Sequence, residues 1–100
     1  MEKITFSEQL LINAICMHVA SKKQIQPQEV EVELMWDEEY GFSAEVSSLG
    51  RQQIFIEVNL IEAIRYYLQT QMQRNPYTAG IELVLDEEEG IQAFVTYQGQ

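Results

Sequence analysis

Cysteine and histidine, which often carry nucleophilic or metal chemistry, each occur once in the chain, as Cys16 and His18. Both fall in a segment with apolar residues at helical spacing, and two positions along a helix turn the side chain by about 200°. The two side chains therefore cannot meet as a Cys–His pair. One residue of each type is too few for a zinc site, and the chain has no P-loop, dinucleotide fingerprint or HExxH motif. We predict no catalytic residues and no resident cofactor, and we interpret Cys16 as a helix-flank residue.

Two acidic turns are the most distinctive local feature. Each begins with Asp and ends with Gly, over residues 37–41 and 86–90. Calcium and magnesium prefer carboxylate oxygen, so the candidate ligands for a divalent cation are Asp37, Glu38, Glu39, Asp86, Glu87 and Glu88. Neither turn has the EF-hand spacing. In the alternative, structural interpretation, the two Asp side chains accept hydrogen bonds from their own turn and the two Gly residues adopt left-handed conformations.

The charge distribution argues against two classes of partner. The chain has 16 Asp and Glu against 6 Lys and Arg, a net charge of −10, and its basic residues form no continuous stripe. Direct nucleic-acid binding and docking on anionic lipid are both disfavoured, because each depends on clustered cations. Carboxylate chemistry is the remaining route to an enzyme, with Glu62 or Glu45 as the base. No spacing singles out an acid–base pair, so we predict that the protein is not an enzyme.

Length and composition indicate one globular domain spanning residues 1–100. The chain is 46% hydrophobic, which excludes general disorder, and a single cysteine cannot form an internal disulfide. The N-terminus has no apolar signal segment, and no apolar run reaches the ~20 residues that cross a bilayer. We therefore expect a cytoplasmic protein.

Hydrophobic periodicity predicts two helices and five strands, with a short extra strand at residues 3–6 as an option. Ser7 caps a helix that Pro27 closes, and Asn59 caps the second helix. Alternating residues predict strands at 30–36, 42–48, 53–58, 79–85 and 91–97. In the first hairpin, Trp36 is expected opposite Phe42. In the third strand, the residues expected to face the core are Ile54, Ile56 and Val58.

The chain repeats itself at an offset of 49 residues. Residues 11–46 and 60–95 align without gaps and share 14 identities in 36 pairs. Ordinary composition would give roughly two to four by chance. We interpret the chain as an internal αββ duplication, with tandem halves at approximately 1–50 and 51–100.

These elements predict an α+β fold: one five-stranded, mainly antiparallel sheet with two helices on one face. The expected spatial order is 53–58, 42–48, 30–36, 91–97, 79–85, and an order with one parallel pair is the alternative. On the face away from the helices we expect an exposed apolar patch, which would be a contact surface for another chain. Its residues are Phe55, Val84 and Phe94.

Several segments resemble the YxcD-like family of small Bacillus proteins. They are Asn13–Cys16, Glu29–Leu34, Gly41–Val46, Ile61–Arg65 and Ala79–Leu83. The resemblance covers most of the chain. It implies a cytosolic bacterial protein and carries over no functional residue, because the family has no known function.

Three functional hypotheses follow. The first is a non-enzymatic binding or regulatory module that acts through protein–protein contacts as a homodimer. The second is a binder of a divalent cation or small molecule, using the acidic turns or the tyrosines. The third, an enzyme using carboxylates alone, is the weakest.

Overall fold

The first helix begins and ends where its capping residues predict. In the computed structural model, which describes residues 1–99, β1 (Glu2–Phe6) leads directly into α1 (Glu8–Lys23). The Ser7 hydroxyl accepts a hydrogen bond from the Leu10 amide at 3.1 Å, satisfying one of the free donors of the first turn. Gln24 ends the helix in a left-handed conformation, with φ 57°.

The remaining elements follow in a regular order. Two short 3₁₀ turns, Pro27–Glu29 and Pro76–Thr78, each lead from a helix to a hairpin. The other elements are β2 (Glu31–Asp37), β3 (Gly41–Ser48), β4 (Arg51–Ile56), α2 (Glu57–Thr70), β5 (Gly80–Asp86) and β6 (Gly90–Tyr97). The predicted hairpin register is confirmed, since Trp36 pairs with Phe42.

The prediction of a single five-stranded sheet is wrong, although the fold is α+β. The six strands form two separate three-stranded antiparallel sheets, in the orders β1-β6-β5 and β2-β3-β4. The physical reason is the N-terminal strand. β1 pairs along β6, with Ile4 opposite Val95 and Phe6 opposite Ala93. It therefore occupies the side of β6 on which the predicted order placed β2.

The predicted facing of the third strand is also wrong. β4 pairs with β3 so that Phe55 lies opposite Ala44, and both side chains are buried. Alternation along the strand then turns Ile54 and Ile56 outward, where they are exposed. Helix α2 begins at Glu57, before the predicted cap at Asn59. The Asn59 side chain instead accepts a hydrogen bond from the Ile56 amide at 2.9 Å.

The same offset of 49 residues relates the strand pairings of the two halves. Phe6 opposite Ala93 corresponds to Phe55 opposite Ala44, and the two hairpins correspond pair by pair. Each half has the order βαββ, and its first strand joins the sheet of the other half. This exchange ties the halves together, while their descent from one duplicated unit stays a prediction.

The core lies between the helices and the inner faces of the two sheets. Helix α1 contacts α2, β6 and β2, while α2 contacts β3 and β4. The largest fully buried side chains are Phe6, Leu11, Ile15, Val46, Leu60, Ile64, Leu68 and Val95. Within residues 1–99, neither helix is long and apolar enough to cross a membrane.

The glycines of the two acidic turns give a stability prediction. Gly41 and Gly90 have φ of 78° and 82°, so alanine at either position costs about 1–2 kcal/mol. A Cβ on Gly90 would also lie 2.8 Å from the carboxylate of Glu8, which accepts a hydrogen bond from the Ile91 amide. At Gly41 the nearest atom, on Glu57, is 3.8 Å away.

We expect Gly90→Ala to lower the free energy of unfolding by about 1 kcal/mol more than Gly41→Ala does. The reason is that the added Cβ displaces the Glu8 carboxylate from its hydrogen bond with the Ile91 amide. Urea denaturation measures both losses. In a Glu8→Ala background the two substitutions should cost the same. Equal losses in the wild-type background would show that the Glu8 contact has no effect.

Candidate functional site

Cys16 and His18 lie on different surfaces of α1, as the helical spacing predicts. The Cys16 thiol donates to the carbonyl of Val30 at 3.4 Å, and burial raises its pKa. A raised pKa keeps the thiol protonated at neutral pH, where it is a poor nucleophile. The protonated thiol and its backbone contact agree with the interpretation of Cys16 as a helix-flank residue without a chemical role.

His18, in contrast, lines a cleft rich in charged side chains. Two cavities of about 280 and 190 Å³ share His18, Lys22 and Glu62 in their walls. We call the combined region the charged cleft; its principal side chains are His18, Lys22, Lys23, Glu62, Arg65, Tyr66 and Tyr77. It runs between α1 and α2 and brings together three of the six basic side chains of the protein.

The imidazole of His18 is held in an unusual environment. Its ring lies 5.1 Å from that of Tyr66, centroid to centroid, and its Nδ1 atom is buried without a hydrogen-bond partner among residues 1–99. Burial lowers the pKa of His18, repulsion by Lys22 lowers it further, and Glu62 partly opposes both. The side chain is therefore neutral at physiological pH.

Two of the cleft's cations are held in place by neutral acceptors. Arg65 donates through Nη1 to the carbonyls of Pro76 and Ala79, tying α2 to the chain before β5. Lys23 donates through Nζ to the buried hydroxyl of Ser48 at 2.8 Å. These hydrogen bonds orient the two side chains and leave their charges uncompensated.

The first half of the chain provides an equivalent groove without the charges. This uncharged groove, of about 480 Å³, is lined by Asn13, Cys16, Met17, Gln26, Pro27, Gln28 and Tyr67. At the offset of 49, Tyr67 corresponds to His18 and Cys16 to Arg65. The sequence analysis interpreted Cys16 as a helix-flank residue and did not predict the cleft, although the divergence of these two positions between the halves was a signal for it.

The acidic turns have the hydrogen bonds of the structural interpretation. Asp37 accepts from the amides of Glu39 and Tyr40, and Asp86 accepts from those of Glu88 and Glu89 at 2.8 Å. These bonds lower the pKa of Asp86. Among residues 1–99 no three His, Cys, Asp or Glu side chains are grouped so as to hold a metal ion. Cation binding by these turns stays a prediction.

The three residues of the predicted contact patch do not lie on one surface in the structure. Phe55 is 9% exposed and belongs to the core, so its place in an exposed patch is wrong. Val84 and Phe94 lie on the outer face of the β1-β6-β5 sheet, as expected, and both are half-buried. Lys3 covers the Phe94 ring, with Nζ 3.8 Å from the centroid. That face therefore offers little free apolar surface.

The two predicted carboxylate bases are also apart. Glu62 lies in the charged cleft, whereas Glu45 lies on the outer face of the β2-β3-β4 sheet, opposite Glu33 and Ile54. No hydrogen bond to another side chain orients either carboxylate in residues 1–99, so the structure adds nothing to the enzyme hypothesis.

A different surface carries exposed aliphatic side chains. Ile54, Ile56 and Val58 are 54%, 58% and 55% exposed, and we call them the β4 strip. Ile54 and Ile56 lie on β4, the last strand of its sheet, and Val58 follows in the first turn of α2. The equivalent positions of the first half are equally open but polar, and they are Thr5, Ser7 and Gln9.

The environment of His18 gives a pH prediction. In the unfolded chain its pKa is near the ordinary 6.5, and in the folded protein it is lower. As the pH falls below about 6.5, the unfolded state takes up the proton first, so this residue progressively weakens folding until the folded pKa is passed.

We expect an NMR titration of this single histidine to give a midpoint below 6.5. Lys22→Gln should raise the midpoint because it removes a repelling charge, and Glu62→Gln should lower it. A wild-type midpoint at or above 6.5 would contradict the described environment.

Comparison with known proteins places the chain in a family. A family model described as "Protein of unknown function (DUF2653)" matches residues 1–88, which include both helices and β1 to β5. No curated protein and no solved structure matches the chain. The expectation of a family without a known function is thereby confirmed. The closer assignment to the YxcD-like proteins of Bacillus stays a prediction.

Proposed function

The chain belongs to the DUF2653 family of proteins of unknown function, and from its own surface we propose that it is a non-enzymatic binding module that acts as a homodimer joined along β4. The proposal keeps the cytoplasmic location and the internal duplication expected from the sequence. It moves the contact surface from the predicted outer face to the β4 strip.

The proposal rests on one difference between the two halves: positions that are equivalent and similarly exposed have different residue types. The β1 region has Thr5, Ser7 and Gln9 where the β4 region has aliphatic side chains. Burying an aliphatic side chain fully is worth about 1.5–3 kcal/mol, and that free energy is unused while the side chain is half exposed. A partner chain that covers the β4 strip would recover it.

The edge of β4 also lacks the charges that protect other edge strands from pairing. β1 carries Glu2 and Lys3, β2 carries Glu31 and Glu33, and β5 carries Glu82. In β4 the only charged residue is the first, Arg51, and the following residues are Gln52, Gln53, Ile54, Phe55 and Ile56. The Ile56 amide already donates to Asn59, so the backbone groups that can pair with another strand are those of the earlier residues of β4.

A second copy of the chain is the occupant that the charges favour. Arg51 begins β4 and Glu57 directly follows it, and both are exposed. Antiparallel pairing of β4 with β4 of another copy brings each arginine to the end that carries the glutamate of the other copy. The same pairing brings the two β4 strips together on one face. Parallel pairing would place like charges side by side.

Residues of the first half provide the substitution that tests the dimer. The triple variant Ile54→Thr, Ile56→Ser, Val58→Gln installs the residues of the equivalent first-half positions at three exposed positions. We expect sedimentation velocity at micromolar concentrations to show a dimer for the wild type and a monomer for the variant, with a dissociation constant weakened roughly tenfold or more. Circular dichroism should show the same fold in both.

The control for this experiment is Leu85→Thr, which removes a similarly exposed aliphatic side chain far from β4 along the chain. It should leave the dimer intact. A wild-type monomer at these concentrations, or a triple variant that dimerises as tightly as the wild type, would contradict the proposal.

Cross-linking tests the position of the contact. In a Cys16→Ser background, oxidation of Ile54→Cys should give a covalent dimer, because antiparallel pairing brings the two copies of this strand together. Thr5→Cys, at the equivalent exposed position of β1, should stay monomeric under the same oxidation. Equal cross-linking of the two variants would exclude a specific β4 contact.

A further inference from the structure

The smaller cavity of the charged cleft is also lined by Gln53 and Phe55, which alternate with Ile54 and Ile56 along β4 and therefore face the other side of the strand. The residues of the β4 strip itself do not line the cleft. We propose that the charged cleft binds a small organic anion, in which a phosphate or carboxylate group is joined to a compact, partly apolar body. The proposal stands on the cleft's charges, on its difference from the uncharged groove and on the groups that line it.

The charges of the cleft are unbalanced in an acidic protein. Lys22, Lys23 and Arg65 face a single carboxylate, that of Glu62, so the cations are in excess. Within residues 1–99 the one ion pair is elsewhere, between Arg74 and Glu2 at 2.6 Å. With 16 carboxylates in the chain, unpaired cations gathered around a cavity are the arrangement that an anionic ligand would complete.

The uncharged groove shows that the fold does not require these residues. Where the charged cleft has His18, Lys22 and Arg65, the equivalent positions have Tyr67, Gln71 and Cys16. Cys16 even makes the equivalent contact with the backbone, since its thiol donates to Val30 as Arg65 donates to Ala79. A neutral side chain is therefore sufficient at this position for packing, and the charges call for a different explanation.

Neutral groups of the cleft suit the rest of such a ligand. Tyr66 and Tyr77 offer aromatic surface, and the Tyr77 side chain is 81% exposed. His18 lines both cavities, and its buried Nδ1 atom has no hydrogen-bond partner among residues 1–99. The cavities, of about 280 and 190 Å³, are each smaller than the roughly 300–1,000 Å³ usual for ligand pockets, so the proposed ligand is compact.

Isothermal titration calorimetry with four probes tests the proposal on the full chain. Phenyl phosphate and benzoate carry the two anionic groups on a flat apolar body, inorganic phosphate lacks the body, and phenol lacks the charge. We expect saturable binding of phenyl phosphate or benzoate, weaker binding of inorganic phosphate and none of phenol. The stronger of the first two identifies the anionic group that the cleft prefers.

Lys22→Gln is the decisive variant, because it installs the residue of the equivalent position in the second half, Gln71, at an exposed position. It should weaken binding of the preferred probe about tenfold, while Lys22→Arg should retain most of it. Lys3→Gln removes one positive charge from the opposite face of the protein and should leave binding unchanged. A second readout is the NMR titration of His18, whose pKa should rise when the preferred probe is bound.

Each of the following results would contradict the proposal or a part of it. No saturable binding of either organic anion, or equal binding of phenol, would overturn the proposal. Binding that Lys22→Gln and Lys3→Gln weaken equally would show a general charge effect instead of a site. Inorganic phosphate binding as tightly as phenyl phosphate would overturn the role assigned to the tyrosines. The titrations use dilute protein and the triple β4 variant in parallel, so failure of the dimer proposal leaves this test intact.

Discussion

The exchange of first strands between the two halves is the constraint on which the rest of the structure depends. Pairing of β1 with β6, and of β4 with β3, completes each sheet with a strand from the other half. It buries Phe6 and Phe55 in the core and fixes where both helices begin, two residues after each phenylalanine. A two-stranded hairpin is at best marginally stable alone, so neither half has a complete sheet without the other.

Because of the exchange, positions 49 residues apart have similar surroundings in the two halves. Comparing the residues at such positions distinguishes those that the packing requires from those that serve another role. Both halves need a phenylalanine at the end of the first strand, a glycine at the end of each acidic turn and a backbone contact from the helix to the 3₁₀ segment. The two halves differ at positions where the fold tolerates more than one type of residue. The aliphatic β4 strip against its polar counterpart, and the charged cleft against the uncharged groove, are two such differences. The first is the basis of the proposed dimer and the second is the basis of the proposed anion site.

Hydrophobic periodicity and turn residues predicted the local structure, but they did not predict which distant strands pair. Alternation in β2 and the turn residues gave the register of Trp36 with Phe42. The same alternation rule failed in β4, because Ile54 and Ile56 resemble an inward face when read alone. Only pairing with Ala44 shows that Phe55 is the inward residue. The charged cleft was missed for a similar reason: Lys22 and Arg65 lie on different helices, and only the packing of α1 on α2 brings them together.

The proposed function requires that a second copy of the chain covers the β4 strip. Isotope-filtered NMR tests it most directly, on a mixture of ¹³C-labelled and unlabelled protein. The proposed dimer predicts nuclear Overhauser effects between copies at the methyl groups of Ile54 and Ile56. It predicts none at Val84, on the outer face of the other sheet. Contacts between copies that involve Val84 and Phe94 but neither isoleucine would contradict it, as would the absence of any contact between copies.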